Sequence, residues 1–523
     1  MKNPACDLVP DWRIDHGAPA SGPWLAWIGL ASVLAGGAAL RFWNLTAGLP
    51  YRIGVDEPLI AEHAIQIMKS GDFNPHFFDY PGLYIYVQVF VGCVRFLVGA
   101  SDGLWRSLDQ FWPEHLFLWT RALNAALGTV TILVVYRAGL RWGRWVALLA
   151  AGLLAVWPNH VRESHFALTD VPFTLLTTLA LVLSLRAYET GRLAWFLAAG
   201  ASVGLAGATK YNGAVALIMP LVAAAVANEP RSSRVRSAVA ATGAAAGAFL
   251  IAAPYTLLDL TVFLDAFGVL SVAYRPRPFS SGATIYIGHL RIALGRVGVI
   301  VAGAGIVWGL ARGIRGRDFG KWAVVAAFPL IYFPMVATKN LIYARYLLPI
   351  LPFLCLSVAF VVVDVVAWIV RWKQPLGVRA FAVSAFAGLV LLHPVRQGID
   401  WPRQYGGPST QDAAYRMIQQ FVPKESKVAI EHAVLRLPDS AYRTMYVDNL
   451  TDRSPQEYVS SGVTFVIASS DGFNPAFARP DRPPDADQAY RRLLDEAAQC
   501  LPTIEPTAAV SGPAIRICRL RTH

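Results

Sequence analysis

The sequence predicts a polytopic α-helical membrane protein, with about 11 transmembrane helices, additional juxtamembrane helices and a C-terminal α/β domain. Three observations lead there. The 523 residues are 55% hydrophobic and only 15% charged, with a mean hydropathy of +0.43, too apolar for a water-soluble chain of this size. Apolar runs long enough to cross about 30 Å of hydrocarbon recur along residues 24–394. The formal charge of +12 is concentrated in short clusters between those runs, the pattern of membrane topology and not of a nucleic-acid-binding face.

The runs fall near 24–43, 116–136, 145–158, 171–188, 193–209, 213–228, 238–257, 292–311, 322–337, 346–370 and 378–394. Alternate connections read RAGLRWGR, RAYETGR, NEPRSSRVRS, RGIRGRDFGK and RWKQPLGVR, together fifteen Lys/Arg against three acids. With all five on the cytoplasmic side, the positive-inside rule gives a cytoplasmic N-terminus and an external C-terminus. The first 23 residues carry three aspartates and no A-x-A site, so the first helix is expected to be retained and no cleaved signal is expected. A twelfth apolar run, GLYIYVQVFVGCVRFLVGA (82–100), would invert this parity if it crossed. It is therefore assigned to the outer interface, with Arg95 as a snorkelling or functional cation.

The expected division is 1–395 for the membrane domain, with 44–115 as its first external loop, and 396–523 for an extracytoplasmic domain. In the latter, TQDAAYRMIQQFV and DADQAYRRLLDEAAQC read as helices, and SKVAIEH, VTFVIASS and AIRICRL as strands. Cys500 and Cys518 either bond in an oxidising exterior or remain two buried thiols.

The candidate chemistry begins at RIGVDEPLIAEHAIQIMKSGD (52–72). Asp56 and Glu57 precede an amphipathic helix with Pro58 in its first turn, so both acids could simply face the helix's positive pole. WPNHVRESHFALTDVPF adds Asp170 at the start of another helix, with His160 and His165 nearby. Two outward acids on a cation-rich face also suit deprotonation of an acceptor hydroxyl beside a leaving phosphate. The cations are Lys210 in GATKYNGA, Arg345 in KNLIYARYLLPILP and Arg121 in LWTRALNAALG, each also readable as a membrane-boundary anchor. Asp56 and Asp170, with His63 and His165, could offer oxygen and nitrogen to a divalent ion, magnesium or manganese before zinc, although no metal-binding spacing is present. Residues 274–290, YRPRPFSSGATIYIGHL, have the composition of a mobile loop that could close over a ligand or merely connect spans.

The series DEP…SGDFNPHFFDYPGLYIYV, WTRALNAALGTVTILVVYRAGLRWG, ALTDVPFTLLTTLALVLSLRAYETGRLAWFLAAGASVGLAGATKYNGAVALIMPLV and ARYLLPILPFL resembles the GT-C superfamily over roughly 24–395. Within it the chain is most similar to bacterial lipid-linked sugar transferases related to protein O-mannosyltransferases (family 39) and to the aminoarabinose transferases of lipid A. The resemblance implies an inverting glycosyltransferase of the bacterial cytoplasmic membrane. Its donor would be a sugar on a polyprenyl monophosphate, its acceptor a glycan, lipid or protein outside the cell. It implies Asp56 as catalytic base with Glu57 as partner and Asp170 as the second-loop acid. Lys210, Arg345 and Arg121 would hold the donor phosphate, and Tyr80, His165, Tyr211 and Tyr343 would meet substrate. Related aminoarabinose transferases have lysine where this chain has Tyr80, which argues against that activity. Some members need a divalent ion and others do not. The rival class is a lipid or glycan transporter, against which the sequence shows no internal repeat. A non-catalytic glycan receptor is a third class.

Overall fold

The computed structural model describes residues 23–49, 56–316, 318–405, 407–431, 434–438, 441–447, 449–473, 486–507 and 509–521. The N-terminal 22 residues, on which the expectation of a retained, uncleaved leader rests, and Arg52 to Val55 of the first-loop motif lie outside them.

The chain begins with α1 (Pro23–Phe42), followed by α2 (Glu57–Ser70), α3 (Leu83–Ser101), α4 (Phe117–Gly139) and α5 (Arg144–Ala155). Next come a single-turn-and-a-half α6 (Pro158–Glu163), α7 (Asp170–Thr190), α8 (Leu193–Thr209), a 3₁₀ segment (Tyr211–Leu217) and α9 (Ile218–Val226). α10 (Arg231–Ala252), α11 (Tyr255–Leu258), α12 (Leu260–Ala273), α13 (Phe279–Gly316) and α14 (Phe319–Ala337) lead to a second 3₁₀ segment (Ala344–Ile350), α15 (Leu351–Val370) and α16 (Leu376–Tyr405).

Among the described residues, eight helices are long and apolar enough to cross a membrane. Seven coincide with expected spans, and the eighth is α3. The remaining four expected spans are shorter apolar helices, because Pro158 ends the fifth helix early and the 3₁₀ segment 211–217 shortens the run at 213–228. The count of 11 is thus not reproduced by length alone. α3 packs chiefly on α2 and also touches α4 and α8. Its Tyr84 and Ile85 join Ile60, Ala64 and Ile65 of α2 and Trp105, Phe111, Leu116 and Leu168, all from the same end of the bundle. Arg95 lies over Trp105 at 4.7 Å and Trp119 at 5.5 Å, a cation held by two indole faces.

Two expectations are corrected here. Residues 279–290 are helical and not a loop, since they open α13. Gly295 then breaks that helix (φ 73, ψ 171) inside the apolar stretch 279–314, which contains the expected 292–311 span. α8 and α10 pack through glycine and alanine. A Cβ on Gly200 would sit 2.1 Å from the Ala241 carbonyl oxygen and one on Gly204 2.2 Å from that of Ala245, so the GASVG spacing lets two backbones touch.

The C-terminal unit is a five-stranded mixed sheet in the order β2-β1-β3-β5-β4. β1 (Lys427–Glu431) pairs in parallel with β2 (Arg443–Val447) and β3 (Phe465–Ser469), and β5 (Ile515–Leu520) runs antiparallel between β3 and β4 (Ala498–Cys500). Helices α17 (Thr410–Phe421), α18 (Pro455–Ser460), α19 (Ser470–Phe473) and α20 (Ala486–Arg491) cover it. The expected helix ending at Cys500 stops early: Ala498–Cys500 is an edge strand, and Cys500 is bonded to Cys518 across the ladder. β2, a part-buried edge strand, carries no full apolar alternation and was not anticipated.

Candidate active site

Two of the candidate acids open helices yet do not spend their carboxylates there. Asp56 is the N-cap residue of α2, but its side chain makes no cap hydrogen bond. Its Oδ2 instead accepts from Nη2 of Arg345 at 2.7 Å and from the hydroxyl of Tyr80 at 3.0 Å. Asp170, the first residue of α7, is 2% exposed and its Oδ1 accepts from Nζ of Lys210 at 2.7 Å. Nε of Arg345 lies 3.9 Å from Oδ2 of Asp170. One guanidinium therefore stands between the two acids. They belong to the first loop and the α7 start, while the cations come from the end of α8 and the 3₁₀ segment before α15.

Aromatic rings frame this cluster. Lys210 lies 4.7 Å from the ring of Tyr346, whose hydroxyl is 2.9 Å from that of Tyr274, and Arg345 lies 4.9 Å from the ring of Tyr343. Tyr343 is 46% exposed, so this cation–aromatic pair faces open space. Tyr211 donates its hydroxyl to the Phe78 carbonyl at 3.0 Å and sets its ring against Phe263 and Phe267 of α12. Burial, with Asp56 adding, holds the Tyr80 hydroxyl well above the ordinary tyrosine range, so it donates and is not ionised. Asp79, next to it, is also raised, first by loss of water and then by Asp56.

Glu57 and Arg121 are not part of this cluster. Both are 0% exposed, and Arg121 forks onto Glu57 through Nε at 2.9 Å and Nη2 at 2.7 Å while Nη1 reaches the carbonyls of Leu45 and Ala47. Glu57 also accepts from the Ala167 N–H at 2.6 Å. A guanidinium so enclosed is closed to a donor phosphate, and the pair instead ties α2 to α4 and to the loop before Asp170. His165 also fastens this loop: its ring nitrogens lie 2.8 Å from the Val161 carbonyl and 3.0 Å from that of Trp43. Asn124 reinforces the same loop, donating to the carbonyls of Phe166 and Leu168 and accepting from Tyr84.

Sequence reasoning missed Arg41 and Glu163. Arg41 is fully buried with no carboxylate partner among the described residues; it donates to the carbonyls of Gly37, Leu154 and Ala155 and contacts His160 Nδ1 at 2.9 Å, closing the end of α5. Glu163 pairs with Arg162, and burial pushes its carboxyl up. Nothing distinguished Arg41 from an ordinary terminal arginine; the signal at 162–163 was an adjacent opposite-charge pair in an otherwise apolar stretch.

The carboxylate oxygens named for a divalent ion are engaged by cations. Among the described residues no three His, Cys, Asp or Glu side chains converge. His63 stacks on Phe77, and the facing oxygens of Asp56 and Asp170 are occupied by Arg345 and Lys210.

Residues 118–257 match the family of dolichyl-phosphate-mannose-protein mannosyltransferases. That segment contains Arg121, Asp170, Lys210 and Tyr211 and excludes Asp56 and Arg345. No curated protein matches the chain significantly. Among solved structures, the archaeal oligosaccharyltransferase AglB from Archaeoglobus fulgidus, described with an inhibitory peptide and a dolichol-phosphate, superposes with a TM-score of 0.61 at 14% identity, covering 94% of this chain and 80% of that one. ArnT from Cupriavidus metallidurans in the apo state gives 0.56 at 16% identity, covering 95% and 97%. ArnT bound to undecaprenyl phosphate gives 0.51 at 15%, covering 96% and 98%. Another structure of the Archaeoglobus enzyme, described as a complex with zinc and sulfate, gives 0.54 at 13%, covering 85% and 68%. The resemblance read from the sequence is upheld: this chain has the fold of the GT-C membrane glycosyltransferases.

Proposed function

We propose that the protein transfers a sugar from a polyprenyl monophosphate carrier to an acceptor hydroxyl at the outer face of the cytoplasmic membrane, with inversion at the anomeric carbon. The observation that carries this reading is Arg345 placed between Asp56 and Asp170. The two acids hold the guanidinium; an arriving phosphate would compete for it, and Asp56 would gain a free oxygen as Arg345 turns to the phosphate. Asp56 takes the acceptor proton, the acceptor oxygen bonds to the anomeric carbon, and the carbon–oxygen bond to phosphate breaks. Arg345 and Lys210 carry the charge left on the carrier phosphate, and Asp170 keeps Lys210 aligned. Tyr80 orients Asp56, while the open ring of Tyr343 offers a stacking face for a sugar. AglB and ArnT structures described with dolichol-phosphate and undecaprenyl phosphate support a polyprenyl phosphate as donor carrier.

The outward placement of site and C-terminal domain is supported by the basic loops on the other side of the spans and by the Cys500–Cys518 bond, which suits an oxidising compartment. The packing of α3 with α2 supports its exclusion from the spans. A metal-bearing relative by fold keeps a divalent ion in view, but magnesium or manganese here would have to displace Arg345 and Lys210, so no step is assigned to it.

The test is Asp56→Asn, assayed for release of radiolabelled sugar from its polyprenyl phosphate. Transfer should fall about 10²–10⁴-fold with thermal unfolding unchanged. Undiminished transfer by that variant would remove Asp56 from the role of base. Carrier flux in proteoliposomes without any transfer by the parent protein would identify a transporter instead.

A further inference from the structure

The break in α13 is flanked by cations that the proposed reaction does not use. Gly295 adopts φ 73, ψ 171 and divides the helix into 279–294 and 296–316. The His393 ring of α16 lies 3.4 Å from where a Cβ on Gly295 would stand, and its Nε2 is 2.8 Å from the Ile292 carbonyl, one of the acceptors freed by the break. Arg291 and Arg296 flank the break, and Arg396 is three residues beyond His393, on the same face of α16. All three arginines are exposed. Arg396 has Asp400 at 3.5 Å, whereas Arg291 and Arg296 have no acidic partner among the described residues.

The surroundings identify what would satisfy them. Ile292, Ile300, Leu389 and Leu392 are 67%, 69%, 61% and 70% exposed, and only 6% of the apolar stretch of α16 is buried. The cations therefore stand beside exposed apolar side chains, a surrounding in which acyl chains would cover the isoleucines and leucines and a headgroup would meet the guanidinium groups. In the proposed orientation they are on the outward face, against the charge bias that the fifteen inward Lys/Arg follow, so they have no topological reason to be there. We propose that the α13 break binds the phosphate of an anionic phospholipid in the outward leaflet, held by Arg291 and Arg296 with Arg396 at its edge. The inference rests on the functional reading for the orientation only.

The test uses the full chain, purified from nanodiscs of phosphatidylcholine with a minor fraction of phosphatidylglycerol, with retained lipid measured by native mass spectrometry. The parent protein should enrich phosphatidylglycerol roughly tenfold or more over its share of the bilayer, as two boundary arginines allow. Arg291→Gln with Arg296→Gln should bring the ratio near one, and Arg291→Lys with Arg296→Lys should restore it. Arg453→Gln with Arg491→Gln, the same charge loss on the C-terminal unit, should leave it unchanged. No enrichment by the parent protein, or equal loss in that control, would overturn the proposal, as would displacement of phosphatidylglycerol by stoichiometric undecaprenyl phosphate, which would give the site to the donor. None of these readouts depends on sugar transfer, so an error in the proposed reaction leaves the result interpretable.

Discussion

Glu57 follows Asp56 directly in the chain, yet its fork with Arg121 and the complete burial of both set that pair apart from Asp56. Removing one partner leaves an uncompensated buried charge, so Glu57→Gln should destabilise the protein by about 3–5 kcal/mol in detergent melts. Glu57→Gln combined with Arg121→Met should recover part of that loss, and activity per folded molecule should fall far less than for Asp56→Asn. If Glu57→Gln melts normally while its turnover collapses, Glu57 acts in the chemistry after all. The cations at the Asp56 cluster lead to a second expectation. Chelation followed by dialysis should leave transfer within about twofold of its starting rate, because Arg345 and Lys210 already supply the positive charge that a hard ion would bring. A strict requirement for added magnesium or manganese would show that the acids can release both cations.

At the scale of elements, helices start and stop to place side chains at one end of the bundle. Asp56 and Asp170 both begin helices and were legible for that reason, although capping predicted the wrong partner for the Asp56 carboxylate. The closeness of α8 and α10 rests on glycines at helical spacing that let the two backbones touch, while the C-terminal end of α8 sets Lys210 against Asp170 of α7. Gly200→Leu should therefore lower expression and thermal stability, as overpacking costs about 1–3 kcal/mol or more, while Gly243→Leu, where a side chain meets open space, should be tolerated. Similar behaviour of the two variants would argue that the α8–α10 contact is looser than drawn. The break in α13 was not foreseen, because glycine within a long apolar run reads equally as packing or as a hinge, and only the neighbouring His393 distinguishes them.

At the scale of the molecule, the C-terminal unit is fastened to the membrane unit beside the site: Nη1 of Arg436 donates to Glu62 of α2 at 2.6 Å, two turns from Asp56. The Cys500–Cys518 bond closes an 18-residue separation between β4 and β5, worth about 3 kcal/mol in the chain-entropy picture. Cys500→Ser with Cys518→Ser should make residues 410–521 markedly more sensitive to protease while the membrane helices stay protected. Unchanged protection would show that the sheet holds without the bond. Whether the two thiols bond was open in the sequence, since strand pairing decides whether two cysteines eighteen residues apart face each other.

The sequence by itself determined the class, the order of apolar helices and the separate C-terminal α/β unit, because periodicity and length act locally along the chain. It also named most of the acids and cations. Only the tertiary structure decided which cation meets which acid. Arg345 reaches Asp56 across 289 residues and Arg121 reaches Glu57 across 64, and such pairings follow from how packed helices converge at one end of the bundle, a property no local pattern contains. That sorting leaves one guanidinium buried in the scaffold and another at the open cluster, and so separates the residues that hold the site from those proposed to act in it.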